Sequence, residues 1–467
     1  MPNQGVDTSS ETPQTYQAAI IGGGISGLAT AFFIKRHSPG SRVAIFEKET
    51  RLGGTMQTAH RDGFLFEAGP NGFLSNREQT LDLVRDSGAE ALLLRSEDAA
   101  RIRYVFTDGL HKLPDSPPAF LRTGLLSARD KLRVLGEVFI PPKKDDEDES
   151  LRAFGYRRVG CRFTDVFLDA LSAGIHASTP DRLSVNAAFP AVVELEKDYG
   201  GLFRGMIRKR RKEAGPGGVL MSFRGGVSAF VEHLAEHLTT TLPVEFHTGA
   251  PVTRLTRRDA GYRLTARAAG RETEFEAESV ILATPSYVSA ELMDPLDRAL
   301  ANRLRAIAYP PVAVVGFGYK DLAYPLNGFG LLTTTGARER ILGVLWDSAI
   351  FPGRAPDGQK SVRVLIGGQR NPELALGDES GLIDIARAGI RNTMGVDDAP
   401  STVFIKRWER GIPNYSVGHL ANVRAIHERI ATYPGLYLNS NAYFGIGIND
   451  CVINSLGLAR RWVEGCP

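Results

Sequence analysis

Residues 18–54, AAIIGGGISGLATAFFIKRHSPGSRVAIFEKETRLGG, read as a strand, a glycine turn, a helix, a second strand and a second glycine turn. Ala18 to Ile21 is a short apolar run. Gly22-x-Gly24-x-x-Gly27 follows at once and opens an apolar helical stretch from Ile25 to Ile34. In this context Gly22 permits the tight turn, Gly24 lets backbone approach a pyrophosphate, and Gly27 lets helix and strand pack closely. The helix N-terminus, at Ile25 and Ser26, adds free amides and positive potential for phosphates. Ser38-Pro39-Gly40 breaks the helix, and Val43 to Phe46 forms the next strand. Glu47 stands twenty residues after Gly27, where a carboxylate accepts hydrogen bonds from ribose hydroxyls and disfavours a 2′-phosphate. The stretch predicts a dinucleotide site in a Rossmann-like α/β fold.

The rest of the chain sets bounds on that reading. At 467 residues it exceeds what one core supports, so two or three domains are expected. With 43% apolar residues it is globular, and no apolar run approaches the ~18 residues of a spanning helix. The first residues, MPNQGVDTSSETPQTYQ, lack a basic-then-apolar signal design, and 1–15 is expected to be a disordered tail. Cys161, Cys451 and Cys466 are too few and scattered for a disulfide framework or a zinc site, which fits a reducing cytoplasmic compartment. A net charge of +3, with no basic stripe interleaved with aromatics, gives no sign of nucleic acid.

Along the chain, 62–73 alternates and then turns at Gly69-Pro70-Asn71-Gly72, and 77–95 reads as one amphipathic helix. Arg101 to Phe106 reads as a strand that Asp108-Gly109 turns into Leu110 to Lys112. Helical character follows from Pro117 to about Lys212. Within it Asp145 to Glu149 reads as a solvated loop feeding a helix near Ser150, and Leu202 to Lys212 carries six cations beside Leu202, Phe203, Met206 and Ile207. That segment reads either as a solvated helix end or as a surface drawn to an anionic membrane. Val219 to Phe223, Pro243 to His247, Val252 to Thr256, Tyr262 to Ala266 and Thr273 to Phe275 read as strands, and Ser279 to Pro285 as a separate buried strand. Strands at 312–319, 329–333, 341–346 and 361–367, with a helix near 381–394, read as a substrate domain. Gly435 to Leu438 is a last strand, and the glycine loop at Asn441 to Asn449 opens a final helix, capped by Asn449 or Asp450 or facing a ligand.

Arg51-Leu52-Gly53-Gly54, a glycine turn just past the ribose-binding acid, resembles the flavin-containing amine oxidase superfamily, which implies FAD rather than NAD. Arg103-Tyr104-Val105, Ser116-Pro117-Pro118-Ala119-Phe120, Trp408, Gly411-Ile412-Pro413-x-Tyr415, Gly418-His419 and Asn449-Asp450-Cys451 narrow the resemblance to the protoporphyrinogen oxidases, over about residues 16–463. The resemblance implies non-covalent FAD held by Gly22, Gly23, Gly24, Ile25, Ser26, Gly27, Glu47, Lys48, Arg51, Gly53, Gly54, Gly69, Pro70, Asn71, Gly72, Val252, Ala283, Trp408, Asn441, Ile446, Gly447 and Ile448. It implies a porphyrinogen held by Arg103, Gly174, Leu332, Leu345 and Leu365, with Arg103 on a propionate. No catalytic side chain and no metal are implied, because the flavin N5 carries the hydride chemistry.

The implied reaction is six-electron oxidation of protoporphyrinogen IX to protoporphyrin IX with O2 as acceptor, or a quinone in its place, and H2O2 as by-product, in haem biosynthesis. The alternative is coproporphyrinogen III. More distant readings are an FAD amine oxidase and a flavin-free interaction protein. The implied plan has FAD-binding parts at 16–76, 213–294 and 406–467, substrate-binding parts at 77–115 and 295–405, and a helical membrane-binding insertion at 116–212. The expected partners are a membrane surface, peripherally contacted from the cytoplasm, and a second copy of the chain in a homodimer. Two departures from the family pattern stand out. Ser178 replaces a small wall residue, and Ser440 and Phe444 replace a glycine and a polar residue beside the flavin loop.

Overall fold

The computed structural model describes residues 14–212 and 218–465, without the side chains of 209–212. Most of the expected N-terminal tail, the basic side chains of Lys209 to Lys212, and Cys466 lie outside the described residues.

Two seven-stranded sheets organise the α/β architecture. The first runs Val244–His247, Val43–Phe46, Gln14–Ile21, Arg271–Leu282, Tyr262–Ala268, Val252–Arg257, with Leu436–Leu438 also on Arg271–Leu282. Its central members are parallel and buried on both faces, which is why Ala18 to Ile21 and Val43 to Phe46 read as continuous apolar runs. The helices Ile25–His37 and Val227–Thr240 cover one face, and the helices Arg298–Arg305 and His419–Ile430 contribute to the core on the other. Thr273 to Phe275 and Ser279 to Pro285, expected as two strands, form the single strand Arg271–Leu282. Its first half pairs antiparallel with Tyr262–Ala268 while its second half runs parallel to Leu436–Leu438. The change of partner along one strand hides its continuity from local pattern.

The second sheet runs Thr402–Trp408, Val312–Tyr319, Lys360–Gly367, Ile341–Leu345, Gly330–Thr333, Tyr104–Phe106, Leu110–Lys112. The helix Glu379–Met394 seals one face through Leu382, Ile385, Ala386 and Ile390. The other face turns toward the first body, where Phe64 and Phe66 pack on Val314 and Phe404. The boundary expected between 405 and 406 falls inside the edge strand Thr402–Trp408, which pairs residue for residue with Val312–Tyr319.

Three further readings need correction. The helix expected over 77–95 is confined to Glu78–Asp86, because Gly88 at φ +79° reverses the chain; Leu93–Arg95 is instead a strand on Leu220–Phe223. The strand expected from Arg101 begins only at Tyr104, after a 3-10 turn over Asp98–Arg101. The acidic loop is not merely solvated: Asp148 accepts from Ser184 and from the Gly418 amide (both 2.7 Å), and Glu149 pairs with Arg157 at 2.6 Å. Those carboxylates tie the helical segment to the loop before His419–Ile430.

A buried charge array ties the second sheet to the hairpin of Thr58–Arg61 and Phe64–Glu67 and to the loop at Asn71. Arg363, 1% exposed, donates from Nε and Nη2 to the Asp347 carboxylate (2.5 and 2.8 Å), from Nη1 to the Glu67 carbonyl (2.5 Å), and from Nη2 to Asn71 Oδ1 (2.8 Å). Arg354 reaches the Glu67 carboxylate at 3.1 Å and Ser222 at 2.8 Å, and Glu67 also accepts from Thr58 and the Val227 amide. Two cations and two anions thus balance where water is excluded. Truncating one member strands its partner, which costs about 3–5 kcal/mol. Arg363→Met is therefore expected to lower unfolding free energy by about that amount, read as a drop in urea midpoint with an unchanged slope.

Candidate active site

The first glycine turn does what its spacing demands. Gly22 has φ +113°, and a Cβ there would come 2.7 Å from the Ala283 carbonyl oxygen. A Cβ on Gly27 would fall 2.0 Å from the Gly22 carbonyl oxygen, so the Ile25–His37 helix can approach its strand only through glycine. Gly24 differs: a Cβ there meets nothing nearer than Gly54 Cα at 3.9 Å. The blocked positions set the turn, and the open one leaves a cradle between the two glycine turns. Those turns are joined by the Gly53 amide on the Gly23 carbonyl (2.8 Å) and a parallel bridge from Gly24 to Gly53. Arg51 folds over the second turn, donating to the Leu52 and Gly54 carbonyls.

Glu47, 8% exposed, closes the Val43–Phe46 strand and accepts from the Gly23 amide (2.7 Å) and the Glu49 amide (2.9 Å). Its carboxylate is thereby fixed at the lip of the cradle. Lys48 points outward and pairs with Glu49 at 3.6 Å, both exposed. Ala283 donates its amide to the Ile21 carbonyl, and Val252 begins the strand that pairs with Ala266.

The last helix, Ile448–Val463, packs along Ile25–His37 through a buried polar seam. Asn439 Nδ2 donates to Thr30 Oγ1 and Ser455 Oγ (both 2.8 Å), and Ser455 donates to the Ser26 carbonyl. Two helix N-termini therefore meet at one end of the sheet, Ser26 opening one and Gly447 capping the other. At the second, the Asp450 carboxylate accepts from the Gly447 amide (3.0 Å), so the plain helix cap is in place, and Gly445 at φ +85° makes room for it. Asn441 is held through its carbonyl by the Tyr415 hydroxyl (2.7 Å), while Ile446 and Ile448 pack into neighbouring cores. Cradle, fixed acid and paired helix ends fit a dinucleotide with its diphosphate on the first turn.

Gly69 and Gly72 pass close to Thr55 and Met221, where added Cβ atoms would fall 2.1 and 2.0 Å from carbonyl oxygens. Pro70 and Asn71 lie between them, Asn71 gripped by Arg363. Trp408 Nε1 donates to the Ala68 carbonyl at 2.8 Å and so ties the second sheet to this loop.

Across the open face of the second sheet the expected substrate residues fall into register. Leu332 and Leu365 both oppose Gly343, while Leu345 opposes Gly330 and Arg363. The glycines leave the leucines standing proud, and each is half-buried. Gly174 supports Leu332: a Cβ there would fall 2.7 Å from Leu332 Cδ1. Val105 opposes Leu332, and Arg103, two residues earlier, shares its face at the rim. The Arg103 guanidinium lies over Phe329 at 5.4 Å, is exposed, and enters none of the ion pairs of the described residues.

The departures differ in their surroundings. Ser178 is fully buried and donates to Asn414 Oδ1 at 2.7 Å, and its neighbour Ala177, left-handed at φ +47°, packs beside Val312 and Leu342. Ser440 is buried, with its hydroxyl accepting from the Ala442 amide, and Phe444 stacks on His427 with its ring half exposed.

Sequence reasoning missed the array of Glu67, Asp347, Arg354 and Arg363, although an arginine inside Ser361-Val362-Arg363-Val364-Leu365 and a glutamate ending Phe64-Leu65-Phe66-Glu67 were visible signals. It also missed His176, 3% exposed against Phe189 and Tyr415 with Nδ1 unpartnered, whose burial pushes its pKa down to about 4. Below its ordinary value the unfolded chain binds a proton that the fold refuses. Stability is therefore expected to fall as pH drops from about 6.5 toward about 4, with a slope of up to about 1.4 kcal/mol per pH unit for each such group. His237, His247, His419 and His427 are shifted down by burial in the same sense. His176→Phe should flatten that slope in urea titrations at several pH values.

Comparison with known proteins bears on the same residues. The coproporphyrinogen III oxidase of Bacillus subtilis (strain 168) is 28% identical over 455 residues, covering 93% of this chain and 95% of that protein. The chloroplastic protoporphyrinogen oxidase of Oryza sativa subsp. japonica is 30% identical, covering 93% and 85%. The crystal structure of a putative protoporphyrinogen oxidase from Exiguobacterium sp. 255-15 superposes with a TM-score of 0.83 at 25% identity over 97% of this chain and 99% of that one. The profile described as flavin containing amine oxidoreductase matches residues 25–461, from the first helix to the last. With that match spanning Gly27, Glu47, the second glycine turn and the second sheet, the chain belongs to the flavin containing amine oxidoreductases and is an FAD-binding oxidoreductase.

Proposed function

We propose that the chain oxidises a porphyrinogen, with protoporphyrinogen IX as its preferred substrate, protoporphyrin IX as product and O2 as acceptor. The observation that carries this reading is the open face of the second sheet, where Leu332, Leu345 and Leu365 make an apolar wall and the unpaired Arg103 stands at its rim. A large flat macrocycle with carboxylates on one edge complements such a face. Relatives named for protoporphyrinogen and for coproporphyrinogen III both support a porphyrinogen oxidase. Arg103 at the rim matches a carboxylate edge that both porphyrinogens share, and steady-state rates separate the two.

When bound, the flavin supplies the hydride-accepting chemistry. The chain's own residues bind and orient. Arg103 pairs with a propionate through its planar fork, the leucines press on pyrrole rings, and Gly174 allows Leu332 to come forward. Gly22 to Gly27, Glu47, Arg51, Gly53 and Gly54 would hold the dinucleotide, with Val252 toward its adenine, Ala283 toward its pyrophosphate, and Gly69 to Gly72, Trp408 and Asn441 to Ile448 toward the flavin. Loss of six electrons in three rounds consumes three O2 and releases three H2O2, while pyrrole protons leave to solvent.

The helical segment over 116–212 is the proposed membrane-facing part. Its described surface exposes Leu121, Leu132, Phe139 and Ile207, at 58%, 69%, 84% and 59%, beside Arg204 and Arg208. No described helix is long and apolar enough to cross a membrane, so the contact proposed is peripheral. Sedimentation with anionic vesicles should be strong at low salt and weaker but present at high salt; no sedimentation at any ionic strength would remove this part of the proposal.

Steady-state rates on the two porphyrinogens test the substrate, with a higher kcat/KM expected on protoporphyrinogen IX. Loss of a charge-assisted hydrogen bond worth about 1.5–3 kcal/mol should make Arg103→Ala lower kcat/KM by roughly 10- to 150-fold. Flavin content should stay normal, and Arg103→Lys should recover only part of the loss. Unchanged kinetics in Arg103→Ala would reduce Arg103 to an ordinary surface charge.

A further inference from the structure

The edge strand Thr402–Trp408 alternates cleanly. Val403 and Ile405 pack toward the sealed core, while Phe404, Lys406 and Trp408 lie on the open face. Lys406 opposes Val314, which packs with Leu365, Phe404 and Trp408. A lysine in that row is out of place, since its neighbours before and behind are aromatic and its partner across the ladder is valine. Its ammonium lies 4.6 Å from the Trp408 ring centroid, and it is only half exposed. Among the described residues it enters no ion pair and no hydrogen bond with an anion, although lysines that give up water ordinarily find a carboxylate.

Its surroundings carry charges of both signs. Trp408, which carries the ammonium, is bonded to Ala68 just before the Gly69 turn. The same strand meets Thr58–Arg61, Arg61 donating to the Val403 carbonyl. Desolvation and then the positive charge of Arg51 push Lys406 below its ordinary pKa against the opposing pull of the Glu49 carboxylate, and Arg51 enters no ion pair among the described residues either. Arg51 instead spends its guanidinium on the Leu52 and Gly54 carbonyls of the second glycine turn. The second glycine turn and the sheet face tied to the neighbouring loop by Trp408 thus each carry a cation, Arg51 and Lys406, that makes no ion pair among the described residues.

We infer that Lys406, acting with Arg51, is a binding residue for an anionic group of a ligand seated between the glycine turns and the open face of the second sheet. The chemistry is that of a phosphate or carboxylate oxygen, and the two sources are the cofactor's diphosphate and a carboxylate of the substrate. The cofactor source rests on family membership alone; the substrate source rests on the porphyrinogen reading. Cation–aromatic contact keeps the ammonium in place without neutralising it, so the charge remains available to the ligand.

The test uses holoenzyme of the wild type, Lys406→Met and Lys406→Arg. FAD dissociation is read from the fluorescence regained on dilution, and KM and kcat from turnover of a porphyrinogen. Lys406→Met removes the charge from an apolar row, so its far-UV circular dichroism should be unchanged; if it does not yield folded protein, Lys406→Gln takes its place. An FAD dissociation constant raised about 10-fold with KM unchanged assigns the anion to the cofactor, and Lys406→Arg should restore binding. A KM raised about 10-fold with kcat and FAD affinity unchanged assigns it to the substrate carboxylate. Failure of the tetrapyrrole reading would appear separately, as no turnover by the wild type, and leaves the FAD measurement intact. Wild-type FAD affinity and KM in the charge-free variant would overturn the inference and leave Lys406 as a cap on Trp408.

Discussion

The close approach of residues 22 and 27 constrains everything else. The Gly22 carbonyl oxygen occupies the place where any side chain on residue 27 would begin. The first helix can therefore lie against the first strand only with glycine at both points, and that contact aims the helix N-terminus past the end of the sheet. The last helix is then drawn in beside it by Asn439 and Ser455, which satisfy the carbonyl of Ser26 and the hydroxyl of Thr30 in a seam sealed from water. The cradle at Gly24 is what remains once these contacts are made. Its openness is a by-product of how tightly its neighbours are closed.

The second sheet has a different problem, because the helix Asp169–His176 covers only part of one of its faces. It is held opposite the first body by charge together with the apolar contact of Phe64 and Phe66 on Val314 and Phe404. Arg363 and Arg354 on one side meet Glu67 and the loop of Asn71 on the other, with Asp347 completing the balance. Such an array contributes little net stability over an apolar one of equal volume. It does fix direction, since a guanidinium fork accepts only a narrow range of partner positions. A face that must stay open for a ligand gains from anchors that specify position without filling space.

What was legible in the sequence follows from the range of the interactions. The glycine turn, Glu47 and the Arg51-Leu52-Gly53-Gly54 turn depend on residues close in the chain, and spacing alone exposes them. The strands at 312–319, 341–346 and 361–367 were legible because buried strands are apolar throughout. The Arg271–Leu282 strand was not, since its halves answer to different neighbours and its pattern changes midway. Gly88 ended a helix that periodicity would have carried nine residues further, and only the loss of pattern at Ser87-Gly88 announced it. The bond of Ser178 to Asn414, 236 positions away, lay beyond local reading. The pairing of Arg363 with Asn71 across 292 positions was likewise beyond local reading, although a charge in an apolar strand marked the place.

The strand Gln14–Ile21 finds its neighbour 271–282 some 260 positions later, and the seam that completes the cradle needs Asn439 and Ser455. A ribosome adding roughly 5 to 20 residues per second needs on the order of 20 to 90 s to make this chain. For nearly all of that time the nucleotide-binding residues at its start exist without the helix that finishes their site. The finished cradle thus depends on residues 439–455, more than 400 positions beyond the turn they complete.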